Sequence, residues 1–257
     1  MIPESRRVHV IGGSAYCKIF TLSCVAFLAA ACTPPPPASR LPPPASVHTE
    51  DFAVIFGRDT SAYELITSCS GSIMSDLDLP KPRVHIHYEL LFGSDLHPQN
   101  LNMAIWRDSA QPPSAPAQIA RTLVRSDSII TEVWHGPELQ TQRYAVQPNT
   151  FPWMTSYTAL LMHLVRMFYS KDIKDVRLFW IATGGHTSVA HLVRRTADSV
   201  IVAFDSAVVR TRVSRAGVLE GAVVGDGRVR VVKVPLNTPP NVANNRCGMG
   251  SFMRPNP

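Results

Sequence analysis

Histidine and arginine are the side chains of this 257-residue chain whose spacing bears most directly on chemistry. His85 and His87 stand two apart in Val84-His85-Ile86-His87-Tyr88, so on a strand both rings project from one face. Imidazole is a common ligand of zinc and copper, and a third ligand would come from His97, His135, His186, His191 or Glu89. One expectation is therefore a metal-dependent hydrolase or metal-binding protein using His85 and His87; the plain alternative is a pair of histidines on the wet face of a strand. Gly184-Gly185-His186-Thr187 reads either as a pocket rim or as a hairpin turn. Asp205-Ser206 and His191 supply the residue types of a hydrolytic triad, and nothing in the sequence positions them. The chain carries no Gly-x-Ser-x-Gly elbow, no phosphate-binding glycine loop, no dinucleotide fingerprint and no pair of Cys-x-x-Cys elements. No catalytic residue and no cofactor follow from it.

Arg194, Arg195, Arg210, Arg212, Arg215, Arg228, Arg230 and Lys233 crowd the last third of the chain. If neighbouring strands align, Arg210, Arg212, Arg228 and Arg230 share a face that would attract phosphates or anionic glycans near a membrane. The alternative is an ordinary solvated sheet face, where arginine also blunts edge pairing.

The elements that must position these residues read mostly as strands. Phe52 to Phe56 and Ala62 to Thr67 flank Gly57-Arg58-Asp59-Thr60 and suggest a hairpin. Short apolar or alternating runs follow at 72–77, 84–92, 102–107, 119–124, 128–134 and 142–146, with Gly, Pro, Asn, Asp and Ser in the breaks. Residues 109–116 read as an exposed loop. Between Phe151 and Tyr169, apolar residues recur at three and four, which predicts an amphipathic helix with Pro152 in its first turn. Its stripe, including Trp153, Tyr157, Leu161 and Phe168, either lines a site for an apolar ligand or is simply core. Strands resume at 176–182, 187–193, 199–204, 207–214, 218–224 and 228–234, with a tight turn at Gly225-Asp226-Gly227. Val209, Thr211 and Val213 alternate with Arg210 and Arg212, as in a sheet with one buried and one wet face. The expected fold is mainly β (α+β): an antiparallel meander curling into a half-barrel with one packed amphipathic helix.

The first 32 residues differ from everything after them. Arg6, Arg7 and Lys18 precede an uncharged run, Ile19 to Ala31, which is shorter than the ~20 residues a spanning helix needs and has the length of a signal-peptide core. The run ends in Leu28-Ala29-Ala30-Ala31-Cys32. This resembles the lipobox of bacterial lipoproteins, departing from it in having Ala29 three residues before the cysteine and Leu28 one step earlier. The resemblance implies cleavage before Cys32, lipid on its thiol, and a membrane anchor; Thr33, rather than Asp, after the cysteine implies the outer membrane. The alternative is an ordinary signal peptide cut after Ala29 or Ala31. Thr33-Pro34-Pro35-Pro36-Pro37 and Leu41-Pro42-Pro43-Pro44 then form a semi-rigid tether. The expected divisions are a signal peptide (1–31), a lipidated cysteine and tether (32–48), a β-rich domain (49–236) and an Asn/Pro-rich tail (237–257).

Removal of residues 1–31 takes away Arg6, Arg7, Lys18 and Glu4, lowering the formal charge from +6 to +4, which argues against nucleic acid as a partner. Cys17 and Cys24 leave with the signal. Cys69 and Cys247 then form an even pair in an oxidising compartment, either bridged or as two free thiols. The segment from Phe52 to Glu64 is also similar to the opening of uncharacterised secreted β-rich bacterial domains, and the architecture resembles periplasmic half-barrels that cradle lipids around a helix. The functional expectation is an envelope lipoprotein that binds an apolar or amphiphilic ligand or an envelope component, with a structural or adhesive module as a further alternative.

Overall fold

Alternating burial organises the strands of the structure, a computed structural model that describes residues 47–107, 114–154, 158–183, 185–204, 207–236 and 247. The leader, Cys32, the tether up to Ser46, Tyr157, Gly184, Asp205-Ser206, most of the 109–116 loop and all of the tail but Cys247 lie outside the described residues.

The chain first lays down β1 (His48–Phe56), β2 (Asp59–Ser68), β3 (Ser72–Pro80), β4 (Arg83–Phe92), β5 (Pro98–Arg107), β6 (Gln118–Val124), β7 (Ser128–His135) and β8 (Glu138–Ala145). Each pairs antiparallel with the one before it. It then crosses to the far edge of the same sheet with β9 (Thr150–Trp153), passes through α1 (Thr158–Lys171), and returns through β10 (Asp175–Trp180). A second meander follows: β11 (His186–Thr196), β12 (Ser199–Ala203), β13 (Val208–Val213), β14 (Leu219–Val224) and β15 (Val229–Val234). β15 pairs with β1, so one fifteen-stranded sheet runs from β8 to β9 with the two ends of the described chain side by side at its middle. Among the described residues the only parallel neighbours are β9 and β10, which need a crossover, and α1 supplies it.

The sheet rolls until its arms meet. Phe179 lies on the opposite face of β10 from the inward Leu178, yet it is 1 % exposed. It packs against Val124 and Ile129 of β6 and β7, and its ring centroid is 4.9 Å from that of Tyr144 on β8. The β6–β8 arm therefore overlaps the outside of the β10 edge, closing the roll by side-chain packing. Gly185 belongs to this seam: its φ is +94°, and a Cβ there would stand 2.6 Å from the Tyr144 ring.

The helix fills the roll. All but three of its residues are buried (Arg166, Ser170 and Lys171 being the exceptions), so burial extends all round rather than along one stripe. Its start differs from the sequence expectation. Pro152 is not in a first helical turn but in β9, because Phe151 and Trp153 are drawn into the core opposite Leu178 and Trp180. β9 is an edge strand, where a missing N–H costs no ladder bond. The helix ends at Asp172, in left-handed conformation at φ +52°, with its N–H donated to the Phe168 carbonyl at 3.0 Å.

The remaining strand expectations hold with shifts of a few residues at their ends, except that the run expected at 176–182 leaves the sheet after Trp180 and turns through a 3-10 segment, Ile181–Thr183. Val209, Thr211 and Val213 are buried while Arg210 and Arg212 are exposed, and Gly225-Asp226-Gly227 turns with φ of +57° and +94° at its glycines.

Candidate functional site

Pairing register places His85 and His87 of β4 on the outer face, opposite Asp78 and Asp76 of β3. His85 Nδ1 is 2.7 Å from an Asp78 oxygen and its Nε2 is 3.6 Å from Asp76; His87 Nδ1 is 2.9 Å from the same Asp76 oxygen. The Asp76 and Asp78 carboxylates raise the His85 pKa to about 9 against the lowering effect of burial. The His85 ring also leans on Trp106, which donates its indole N–H to the Ser114 carbonyl. The two rings share a face as their spacing implies, and they engage a ladder of carboxylates. Among the described residues, no group of three or more His, Cys, Asp or Glu side chains is placed to hold a metal ion.

Trp153, Leu161 and Phe168 meet in the core cluster and are at most 7 % exposed. Trp153 meets Trp180 edge-on and Phe204 at a tilt, and Phe168 meets Tyr169 edge-on. These side chains join the helix to the inner face of the sheet. Arg194 points inward as well, its guanidinium 4.6 Å from the Tyr169 ring centroid.

Two titratable groups inside the roll do not stand out in the sequence. Glu64 is fully buried on β2, between Phe52 and Leu77, and its carboxylate accepts every hydrogen bond around it. Oε2 accepts from the Thr158 N–H at 2.8 Å; Oε1 accepts from the Ala159 N–H at 3.1 Å, from Ser75 Oγ at 2.9 Å and from the Tyr88 hydroxyl. Glu64 thus caps the helix from across the interior, satisfying N–H groups that have no partner within it. Its signal is its phase: Ala62, Glu64 and Ile66 form one alternating set, and a carboxylate among inward residues must find donors.

His163 lies deeper along the helix, its ring facing Phe92 and Phe151. Nε2 donates to the Leu96 carbonyl at 2.8 Å, and Nδ1 is buried without a hydrogen-bond partner among the described residues. Burial lowers its pKa to about 4, with Arg166 and His97 adding repulsion. Leu96 sits at φ +66° in a tight loop closed by Gly93 N–H to His97 O and Leu96 N–H to Gly93 O. At the end of the roll where the chain enters β1, Glu50 is 2 % exposed and pairs with Lys233 at 2.5 Å and His48 at 3.2 Å.

The arginine cluster separates. Ile201, Arg210, Val223, Arg230 and Ile55 form one outward row across β12, β13, β14, β15 and β1, and Arg212 lies on the same face. Arg228 stands in the turn before β15 and pairs with Asp226 at 2.9 Å. Lys233 and Arg194 belong to the interior side. His191 is exposed, 2.6 Å from Asp175, and Gly185 forms the turn before His186. Cys69 and Cys247 are bridged, with Cα atoms 5.8 Å apart and 178 residues between them in sequence.

No protein-family model matches the chain, and no curated protein matches it. Two solved structures are similar to it. A DUF1089 family protein from Pseudomonas aeruginosa aligns with a TM-score of 0.46 at 11 % identity, covering 63 % of this chain and 89 % of the other. A β-barrel-like protein of the domain of unknown function DUF1849 from Brucella abortus aligns with a TM-score of 0.40 at 10 % identity, covering 73 % of this chain and 95 % of the other.

Proposed function

We propose that the protein is an exported lipoprotein of the cell envelope, held on the outer membrane by acyl chains on Cys32. The observation that carries this reading is the Cys69–Cys247 bridge. Disulfides of this kind persist in oxidising compartments. With Cys17 and Cys24 in the leader, the bridge leaves Cys32 as the one remaining cysteine of the mature chain. A thiol next to the cleavage point, after a short apolar run and before a proline-rich tether, is the group such an anchor would use. Several acyl chains, at about 0.8 kcal/mol per buried CH₂, hold a protein on a bilayer for long times.

The folded part is a binding module in this reading. Leu161 and Phe168 of the helix and Trp153 of β9 are engaged in the core, so the reading assigns an apolar or amphiphilic partner to the outer surface. Fatty-acid labelling of cells expressing the chain tests the anchor. Label on the wild type that disappears in Cys32→Ala is expected; an unlabelled wild type would refute the anchor.

A further inference from the structure

We propose that the outer face of β11–β15 and β1 is a docking surface for anionic phospholipid, and that the roll lies on its side on the membrane that holds its anchor. The proposal rests on the anchor reading for its place in the cell, but not for its chemistry.

The observation is the composition of one face. Register aligns Val193, Ile201, Arg210, Val223, Arg230 and Ile55 in a single row across six adjacent strands, all pointing away from the core. Within the row Val193 is 57 % exposed. Such a face alternates aliphatic side chains with guanidinium groups, so it offers apolar contact and positive charge to the same partner. The two arginines of the row, Arg210 and Arg230, differ from their neighbours in having no ion-pair partner among the described residues. Arg212 has Glu220 at 3.5 Å and Arg228 has Asp226 at 2.9 Å. Arg210 and Arg230 instead donate to the carbonyls of Gly225 at 2.9 Å and Gly57 at 3.4 Å. A backbone carbonyl orients a guanidinium and leaves its charge in place, with donors remaining for a phosphate oxygen.

Phosphate-bearing headgroups above acyl chains match both halves of this surface. The way the chain arrives agrees with that geometry. β1 contributes Ile55 to the row and is the strand that the tether enters. A proline-rich segment the length of residues 33–47 reaches up to about 45 Å when extended, whereas nine-residue β1 is about 30 Å long. A lipid on Cys32 therefore leaves enough chain for the side of the roll to settle on the bilayer.

The test is flotation of the chain from residue 33 onward, with its disulfide intact, on vesicles of phosphatidylethanolamine and phosphatidylglycerol. The sheet, helix and core are built from residues 47–236, so this chain keeps every described contact. Binding that weakens with salt and vanishes on pure phosphatidylcholine is expected. Affinity falls about fivefold for each of Arg210→Ala and Arg230→Ala, about 25-fold for the pair, while Arg143→Ala on β8 leaves it unchanged. Circular dichroism and melting identical to wild type certify the variants, and Arg210→Glu strengthens the effect. No binding by the wild type, equal binding by the arginine variants, or a dimer in sedimentation that buries this face would overturn the proposal. None of these results bears on acylation of Cys32, which fatty-acid labelling reads separately.

Discussion

Acidification should destabilise the fold through His163, and the size of the effect follows from its surroundings. The ring holds its proton only below about pH 4 in the folded chain, against 6.5 for an ordinary histidine. Between those values the unfolded chain binds a proton that the folded chain refuses, so the contribution is whole above pH 6.5 and declines as the pH falls toward 4. At about 1.4 kcal/mol per pH unit, the loss is roughly 3 kcal/mol by pH 4. His163→Leu removes the titration while leaving the Leu96 carbonyl without its donor, which costs about 1–3 kcal/mol at neutral pH. Urea unfolding followed by tryptophan fluorescence, under non-reducing conditions at pH 7, 6, 5 and 4, compares the two. The wild type should be the more stable at pH 7, and the difference should shift by roughly 3 kcal/mol in favour of the leucine variant on going to pH 4, closing or reversing the gap. Carboxylates titrate in both proteins and cancel in the difference. Parallel stability curves would refute the reasoning, because they would mean that burial does not exclude the proton from this ring.

On the alkaline side the ion pairs of His85 act in the opposite sense: its pKa is raised to about 9, so its contribution is present below pH 6.5 and lost as the pH rises toward 9. The stability difference between wild type and His85→Gln should shrink across that window, by roughly 1 kcal/mol after solvent screening. Glu64→Ala should lower stability by about 3–5 kcal/mol, since it strands buried donors from the helix, Ser75 and Tyr88. Glu64→Gln, which keeps an acceptor, should lie between it and the wild type in a thermal melt. Cys69→Ser with Cys247→Ser should cost about 2–5 kcal/mol, read as a lower urea midpoint that reduction of the wild type reproduces.

Much of this architecture is legible in the sequence because single-layer strands betray their two faces. Val209, Thr211 and Val213 against Arg210 and Arg212 predict the β13 orientation directly. The helix boundary is not legible in the same way. Phe151, Trp153 and the later apolar residues fit a helical period, but β9 needs a partner strand to exist, and that partner, β10, comes after the helix. A parallel pairing made across α1 leaves no local signal. The overlap at Phe179 is hidden for a similar reason: its burial depends on Tyr144 and Ile129, from the opposite arm. Among the candidate residues, the common face of His85 and His87 follows from spacing alone, whereas their aspartate partners depend on the β3–β4 register. Glu64 could be found by phase, as a carboxylate in the inward set of β2. Its role as the cap of a helix 94 residues later in the chain could not, since only folding brings Thr158 to it.

Intact mass of the protein purified from an exporting Gram-negative host tests the central claim most directly, measured before and after reduction. The account predicts a chain that begins at Cys32, carries acyl chains on that residue, and gains two hydrogens when the Cys69–Cys247 bond is reduced. A chain that begins elsewhere, or begins at Cys32 without acylation, would contradict it.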